Sequence, residues 1–350
     1  MCFNALRRNS ISQNDTAADH RLAALNDWIS GIIEVAGCEP TPASSDASFR
    51  RYFRLQNRLE SFIVMDAPPA AEDCLSFVRI AGYLEAMQLT APRIIEADIE
   101  NGFLLISDLG NEQYLSCLES NPERAENLYA DAIEALLCMQ RRGAAYQASL
   151  PSYDETLLRF ELSIFRDWLC SAHLNLNLSD DDEQHWQACC DVLVDNAMRQ
   201  PQIFVHRDYH SRNLMVMEQG NPGILDFQDA LEGPLTYDLV SLLKDCYVRW
   251  PADQVRRWAL TYHRKLSEVT RERIDEQQFC RYFELMGVQR HLKAAGIFCR
   301  LSHRDGKPAY LDDVPRTLSY IVELGSRYDE LNFLVPLIRD RVLPSWGAAE

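Results

Sequence analysis

The chain has 350 residues, 47% of them apolar and 25% charged, with a formal net charge of -17. That length and apolar content suit two domains with a sizeable core and exclude disorder on the scale of the whole chain. So acidic a chain is a poor phosphate-backbone binder. No apolar run is long enough to cross a bilayer, and the start Met1–Arg8 lacks a signal-peptide pattern. The expectation is a cytoplasmic protein with no nucleic acid, no membrane and no inferable protein partner. Eleven cysteines without a C-x-x-C pair read as reduced, mostly buried thiols. Only Lys244, Lys265, Lys293 and Lys307 are lysines, which rules out a G-x-x-x-x-G-K-[ST] phosphate loop upstream. The absence of glycine between Gly37 and Gly82 excludes an early dinucleotide fingerprint.

In chain order, Arg21–Ala36 spaces Leu22, Leu25, Trp28, Ile29, Ile32 and Ile33 as a helix closed by Gly37. Phe49–Leu55 and Phe62–Met65 read as strands joined by the polar turn Gln56–Ser61. Leu75–Met87 reads as a helix, and Ile94–Ile95 and Phe103–Ile106 as strands that end at Ser107-Asp108-Leu109-Gly110. Beyond Gly110 the pattern turns helical: Pro122–Gln140 with Asn121 as cap, then a helix opened by a Ser179-to-Asp182 capping box. Short strands are expected at Ile203–Val205, Leu214–Met217 and Gly223–Leu225. Helices resume at Tyr237 and break at Pro251 and at Gly306-Lys307-Pro308. The layout is α+β, a small sheet-containing lobe over residues 1–110 and a larger, mostly helical lobe over residues 111–350.

The chemistry concentrates in Ile203–Asp229. An apolar strand leads into His206-Arg207-Asp208, Asn213 follows, and two apolar runs joined by Glu218–Pro222 end on Asp226. Pairing those runs as a hairpin sets Leu214 against Leu225 and Asn213 against Asp226, where opposed Cβ atoms lie about 4.5–5.5 Å apart. One amide oxygen and one carboxylate suit Mg²⁺, which keeps its other positions for water and phosphate oxygens. Asp208, with no cation of its own, is left to accept a proton from a substrate hydroxyl.

The spacing matches the protein-kinase signature H-R-D-x-x-x-x-N with a following D-F-x, so a two-lobed protein-kinase-like fold is expected. Val205–Asn213, Ile224–Asp229 and Tyr237-Asp238-Leu239 resemble the aminoglycoside phosphotransferase family of small-molecule kinases. With S-D-A-S-F-R-R-Y-F-R-L, I-V-M-D-A-P-P and I-S-D-L-G upstream, the resemblance is nearest the anomeric sugar kinases of cell-wall recycling, and it spans roughly residues 44–247. It implies ATP and Mg²⁺ as cofactors and an amino-sugar acceptor, N-acetylmuramate or N-acetylglucosamine, phosphorylated on the anomeric hydroxyl. An aminoglycoside or amino-alcohol kinase is the alternative within this fold, and a non-catalytic nucleotide-binding scaffold the remote one.

The same resemblance implies the sites. Asp208 is the base, and Asn213 and Asp226 hold the metal. Ser45 and Ser48, in a segment that replaces a glycine-rich loop, offer donors to phosphate, and Ser107 and Leu109 line the adenine pocket as the inter-lobe hinge. Met65 stands where such kinases place a strand lysine, and Phe77 where they place its glutamate. Arg50, Arg51 or Arg54 is therefore expected to meet phosphate charge, with Arg212 and Asp229 as substrate contacts. His206 orders the loop and Asp238 braces it as a buried acceptor.

Overall fold

The computed structural model describes residues 20–35, 37–45, 49–325 and 327–346. Two units emerge, the smaller comprising the described residues up to Gly82 together with Ala91–Gly110 and the larger Tyr83–Thr90 together with Asn111 onward.

In the smaller unit the leading segment forms a helix, α1, over residues 20–30. It stops short of the expected Ala36, giving way to a single 3₁₀ turn at Ile33–Val35, because Gly31 and the β-branched pair Ile32-Ile33 propagate a helix poorly. Leu25, Ile29, Ile32 and Val35 still share one face and bury it against Leu55, Phe62, Val64, Phe103 and Leu105. The sheet they cover is antiparallel throughout, in the order β1-β2-β3-β5-β4: β1 Thr41–Ser45, β2 Arg51–Gln56, β3 Ser61–Asp66, β4 Ile94–Asp98 and β5 Phe103–Ser107. Helix α2, Cys74–Ala86, lies between β3 and β4 in the chain. The β2–β3 turn closes where expected, with Asn57 Oδ1 accepting the amides of Leu59 at 2.8 Å and Glu60 at 2.7 Å. Strand β1 departs from the sequence expectation. Its Pro42 argues against a strand, yet β1 is an edge with a register shift at Pro42/Ser44, the kind of place where a missing N–H is tolerated.

The larger unit begins with α3 Tyr114–Ser120 and α4 Ala125–Gly143. The expected start at Pro122 is a 3₁₀ turn instead, and Asn121 makes no side-chain cap bond. Helix α5, Glu155–Ile164, continues as a π-helix over Phe165–His173. Helix α6, Asp180–Met198, opens on the expected reciprocal capping box, Ser179 Oγ accepting from Asp182 N and an Asp182 carboxylate oxygen from Ser179 N. Strand β6 Gln202–Val205 pairs with β9 Leu231–Pro234, and β7 Leu214–Met215 with β8 Gly223–Ile224. Helices α7 Tyr237–Leu243, α8 Ala252–Arg264, α9 Glu276–Asp305 and α10 Val314–Val322 follow, and a last helical stretch runs over residues 334–346. The breaks at Pro251 and at Gly306, which caps α9 in the left-handed conformation, fall where expected. Ten cysteines are free, seven of them buried, among the described residues. No helix among the described residues is long and apolar enough to cross a membrane.

Helix α9 is the element the larger unit packs around. At Gly296 its backbone comes close to a neighbour: a Cβ there would stand 2.6 Å from the backbone of Ile164 and Phe165, the point at which α5 becomes a π-helix. Gly296→Ala should therefore cost about 1–3 kcal/mol in urea denaturation, since backbone rather than a mobile side chain must yield. Gly82→Ala, in open space on α2, should stabilise by about 0.4–1 kcal/mol. Equal effects at the two positions would show that α9 does not depend on this approach.

Candidate active site

The site residues of the larger unit hang on the segment between β6 and β7. Asp238, in the first turn of α7, is buried and accepts the backbone amides of His206 at 2.7 Å and Arg207 at 2.9 Å. These two bonds hold Arg207 in the left-handed region at φ 80°, a conformation a non-glycine residue keeps only when its surroundings impose it. At the far end buried Asp245 accepts the Ser211 amide at 2.9 Å and hydroxyl at 2.6 Å, while the Tyr209 hydroxyl donates to the carbonyl of Ala132 at 2.9 Å. The loop is thus anchored along its length to groups outside it, the carboxylates of Asp238 and Asp245 and the carbonyl of Ala132.

Asp208 sits between these anchors. Its amide donates to His206 Nδ1 at 3.2 Å, and its carbonyl accepts from Asn213 Nδ2 at 3.0 Å. Its carboxylate makes no hydrogen bond or ion pair with any described residue. Burial pushes Asp208 up, but the charges of Lys293, His210, Arg207 and Arg290 outweigh it and hold the carboxyl below the usual range. It is therefore ionised at neutral pH and open to a hydroxyl.

The hairpin register is one residue off the expected one: Leu214 pairs with Ile224 and Met215 with Gly223. Asn213 then faces Leu225, whose amide donates to the Asn213 carbonyl at 2.9 Å. A slip of one residue ordinarily sends a side chain to the opposite face. Asp226 escapes that because its backbone turns left-handed at φ 60°, and Asn213 Nδ2 reaches Asp226 Oδ2 at 3.2 Å. Gln228 Nε2 holds the other oxygen at 2.8 Å. The pair forms, for a different reason than strand opposition.

Beneath the loop lies a group that spacing did not reveal. Glu161 of α5, 2% exposed, accepts from Arg207 at 2.7 Å and Lys293 at 3.0 Å through Oε1, and from the Tyr153 hydroxyl through Oε2. Lys293 of α9 also donates to the Tyr237 hydroxyl at 2.9 Å. Burial raises Glu161, yet Lys293 and Arg207 bring it below the ordinary range. One signal was available: Gln289, Arg290, His291 and Lys293 fall together inside the buried part of a long helix, where ionisable residues need partners.

The remaining expected residues are scattered. Arg212 is stacked on Tyr247 at 4.6 Å and Tyr310 at 5.5 Å, and Asp229 is exposed in the turn after Phe227. In the smaller unit Ser45 ends β1, and Ser48 lies outside the described residues. The Ser107 hydroxyl accepts the Arg93 amide at 2.9 Å, and Leu109 follows β5 half-buried. The arginines offered for phosphate are engaged by carboxylates. Arg50 pairs with Glu72 at 2.8 Å, both nearly buried; Arg51 and Arg21 bracket the buried Asp66; Arg54 pairs with Asp108 at 2.6 Å. The Met65–Phe77 substitution thus does not leave the unit without a buried cation–carboxylate pair: Arg50–Glu72 is one.

The family model described as "Phosphotransferase enzyme family" matches residues 39–276. The chain is 46% identical over 331 residues to the N-acetylmuramate/N-acetylglucosamine kinase of Pseudomonas aeruginosa, covering 91% of this chain and 96% of that one. It is 47% identical over 333 residues to the protein of the same name from Pseudomonas putida, covering 92% and 97%. Among solved structures it is similar to choline kinase from Streptococcus pneumoniae, with a TM-score of 0.59, 11% identity, and 87% and 99% of the two chains covered. That likeness carries the fold alone, which is protein-kinase-like.

His206 supplies a pH test. Burial lowers it to about 4, so it is neutral at pH 7 and its Nδ1 can accept the Asp208 amide. Between about pH 6.5, where a free histidine titrates, and pH 4, the unfolded chain takes up a proton that the folded loop refuses, so this residue's share of stability falls on acidification. His206→Asn keeps an acceptor near Nδ1 but cannot titrate. Its stability measured in urea should decline less from pH 6.5 to 4.5 than that of the parent; parallel declines would show that His206 is not held neutral.

Proposed function

This chain belongs to the phosphotransferase enzyme family, and on that premise we propose that it transfers the γ-phosphoryl group of ATP to the anomeric hydroxyl of N-acetylmuramate and N-acetylglucosamine. The observation that carries the reading is Asp208, an ionised carboxylate left unpaired beside the Asn213–Asp226 pair. Asp208 orients the acceptor hydroxyl and takes its proton as the new O–P bond forms. A carboxyl held this low is a weak base. The anomeric hydroxyl suits it, because the ring oxygen makes that hydroxyl the most acidic on the sugar.

Asn213 and Asp226 fit Mg²⁺. The Asn213 amide nitrogen is turned to Asp226 and the loop carbonyl, which leaves its oxygen as a ligand, and Asp226 adds the anionic one. When bound there, the ion would neutralise charge on the transferring phosphoryl group. The proposed nucleotide contacts are Ser45, Ser48, Ser107 and Leu109. Arg50 and Arg51 are committed to Glu72 and Asp66, so their share is to brace the sheet to which Ser45 and Ser107 belong.

The test is ADP release with ATP and Mg²⁺ across N-acetylmuramate, N-acetylglucosamine, an aminoglycoside and choline. Turnover is expected on the two sugars, with loss of the reducing end and an acid-labile phosphate. Retained reducing ends would move the phosphate to another hydroxyl, and turnover confined to the aminoglycoside or choline would overturn the substrate.

Two sets of variants probe the residues. Asp208→Asn should lower kcat by about 10²–10⁴ with ATP binding kept, and near-normal turnover would remove Asp208 from the reaction. Asn213→Ala and Asp226→Ala should both raise the Mg²⁺ concentration needed for half-maximal rate, Asp226→Ala more so; titrations that overlay the parent would misplace the ion.

A further inference from the structure

Arg290, Lys293, Arg300 and Arg304 recur along α9 at intervals that keep them on one side of the helix. Three of the four have a partner: Arg290 is buried and donates to Cys246 Sγ at 3.6 Å, though its Nε finds no acceptor, Lys293 closes on Glu161 and Tyr237, and Arg304 holds Asp305. Arg300 has none among the described residues. It makes no hydrogen bond or ion pair with any described residue, it is half-buried, and its Nε is enclosed without an acceptor. The acidic groups that act on it, Glu161 and Asp305, already serve Arg207 and Lys293 on one side and Arg304 on the other. A guanidinium drawn this far from water without a counter-charge is unfavourable, and a bound anion would complete it.

The position points to which anion. Lys293 and Arg290 set the field at Asp208, and Arg300 stands two turns beyond Lys293, about 10 Å along the helix. The partly exposed residues between them on that face are Ala294 and Ile297, small or apolar surface suited to lie under a sugar ring. The two acceptors differ in one charged group: N-acetylmuramate carries a lactyl carboxylate on its ring and N-acetylglucosamine does not. The arginines of the catalytic loop are not available to it, Arg207 being paired with Glu161 and Arg212 stacked between two tyrosines. We propose that Arg300 is the receptor for the lactyl carboxylate of N-acetylmuramate and so sets the preference between the two sugars. This rests on the substrate reading given above.

The experiment compares kcat/KM for both sugars in the parent enzyme, Arg300→Gln and Arg300→Lys. Arg300→Gln should lower kcat/KM for N-acetylmuramate about 10- to 100-fold, mostly through KM, as expected for a lost charge-assisted hydrogen bond, while N-acetylglucosamine stays within about two-fold. Arg300→Lys should recover part of the loss. The parent should disfavour the methyl ester of N-acetylmuramate by a similar factor, and Arg300→Gln should not distinguish ester from acid. Equal losses on both sugars, which would mark a structural arginine, or no change on either, overturn the proposal while leaving the kinase reading intact. A parent enzyme that phosphorylates neither sugar overturns both.

Discussion

The Glu161 carboxylate, 2% exposed, is tolerable in the interior only because three donors converge on it. Those donors come from three separate stretches of chain: Tyr153 ahead of α5, Arg207 in the catalytic loop and Lys293 on α9. Removing one member of such a group leaves a buried charge uncompensated, which typically costs about 3–5 kcal/mol. Glu161 therefore ties the loop to the helices behind it. That tie also holds Arg207 and Lys293 in place, two of the cations whose field keeps Asp208 ionised, while Asp238 and Asp245 fix the loop backbone itself.

The two acids of the site owe their difference to surroundings rather than type. Glu161 is enclosed by cations and hydroxyls that take up its charge. Asp208 feels the same cations without bonding them, so its oxygens stay available. Asp238 is the third case. Burial pushes it up to about 7 against the two loop amides it accepts, so it holds the loop by accepting hydrogen bonds and not by pairing with a cation. One stretch of backbone is thereby positioned by acids in three distinct electrostatic states.

Much of this was legible in the sequence because it is local. The helix faces, the Ser179 capping box, the β2–β3 turn and the run from His206 to Asn213 each need only a few neighbouring residues. What could not be read depends on contacts between residues far apart in the chain. Arg207 and Glu161 are 46 residues apart, and nothing near either announces the other. Strand β1 was hidden by Pro42, whose tolerance depends on lying at a sheet edge. The register of the β7–β8 hairpin was misjudged by one residue because alternation assumes extended backbone, and Asp226 departs from it. The arginines of β2 were legible as cations but not as partners of Glu72, Asp66 and Asp108, since strand order decides which acids they meet.

The clamp on Asp226 bears on how such an enzyme could be blocked by a drug. In protein kinases the packing of the corresponding phenylalanine separates active from inactive forms. Here Gln228 and Asn213 each hold one oxygen of Asp226, and the Phe227 ring that follows is wholly buried. A compound that needed Phe227 expelled would first have to break both bonds and vacate a core position, and its apparent affinity would fall by the rarity of that state.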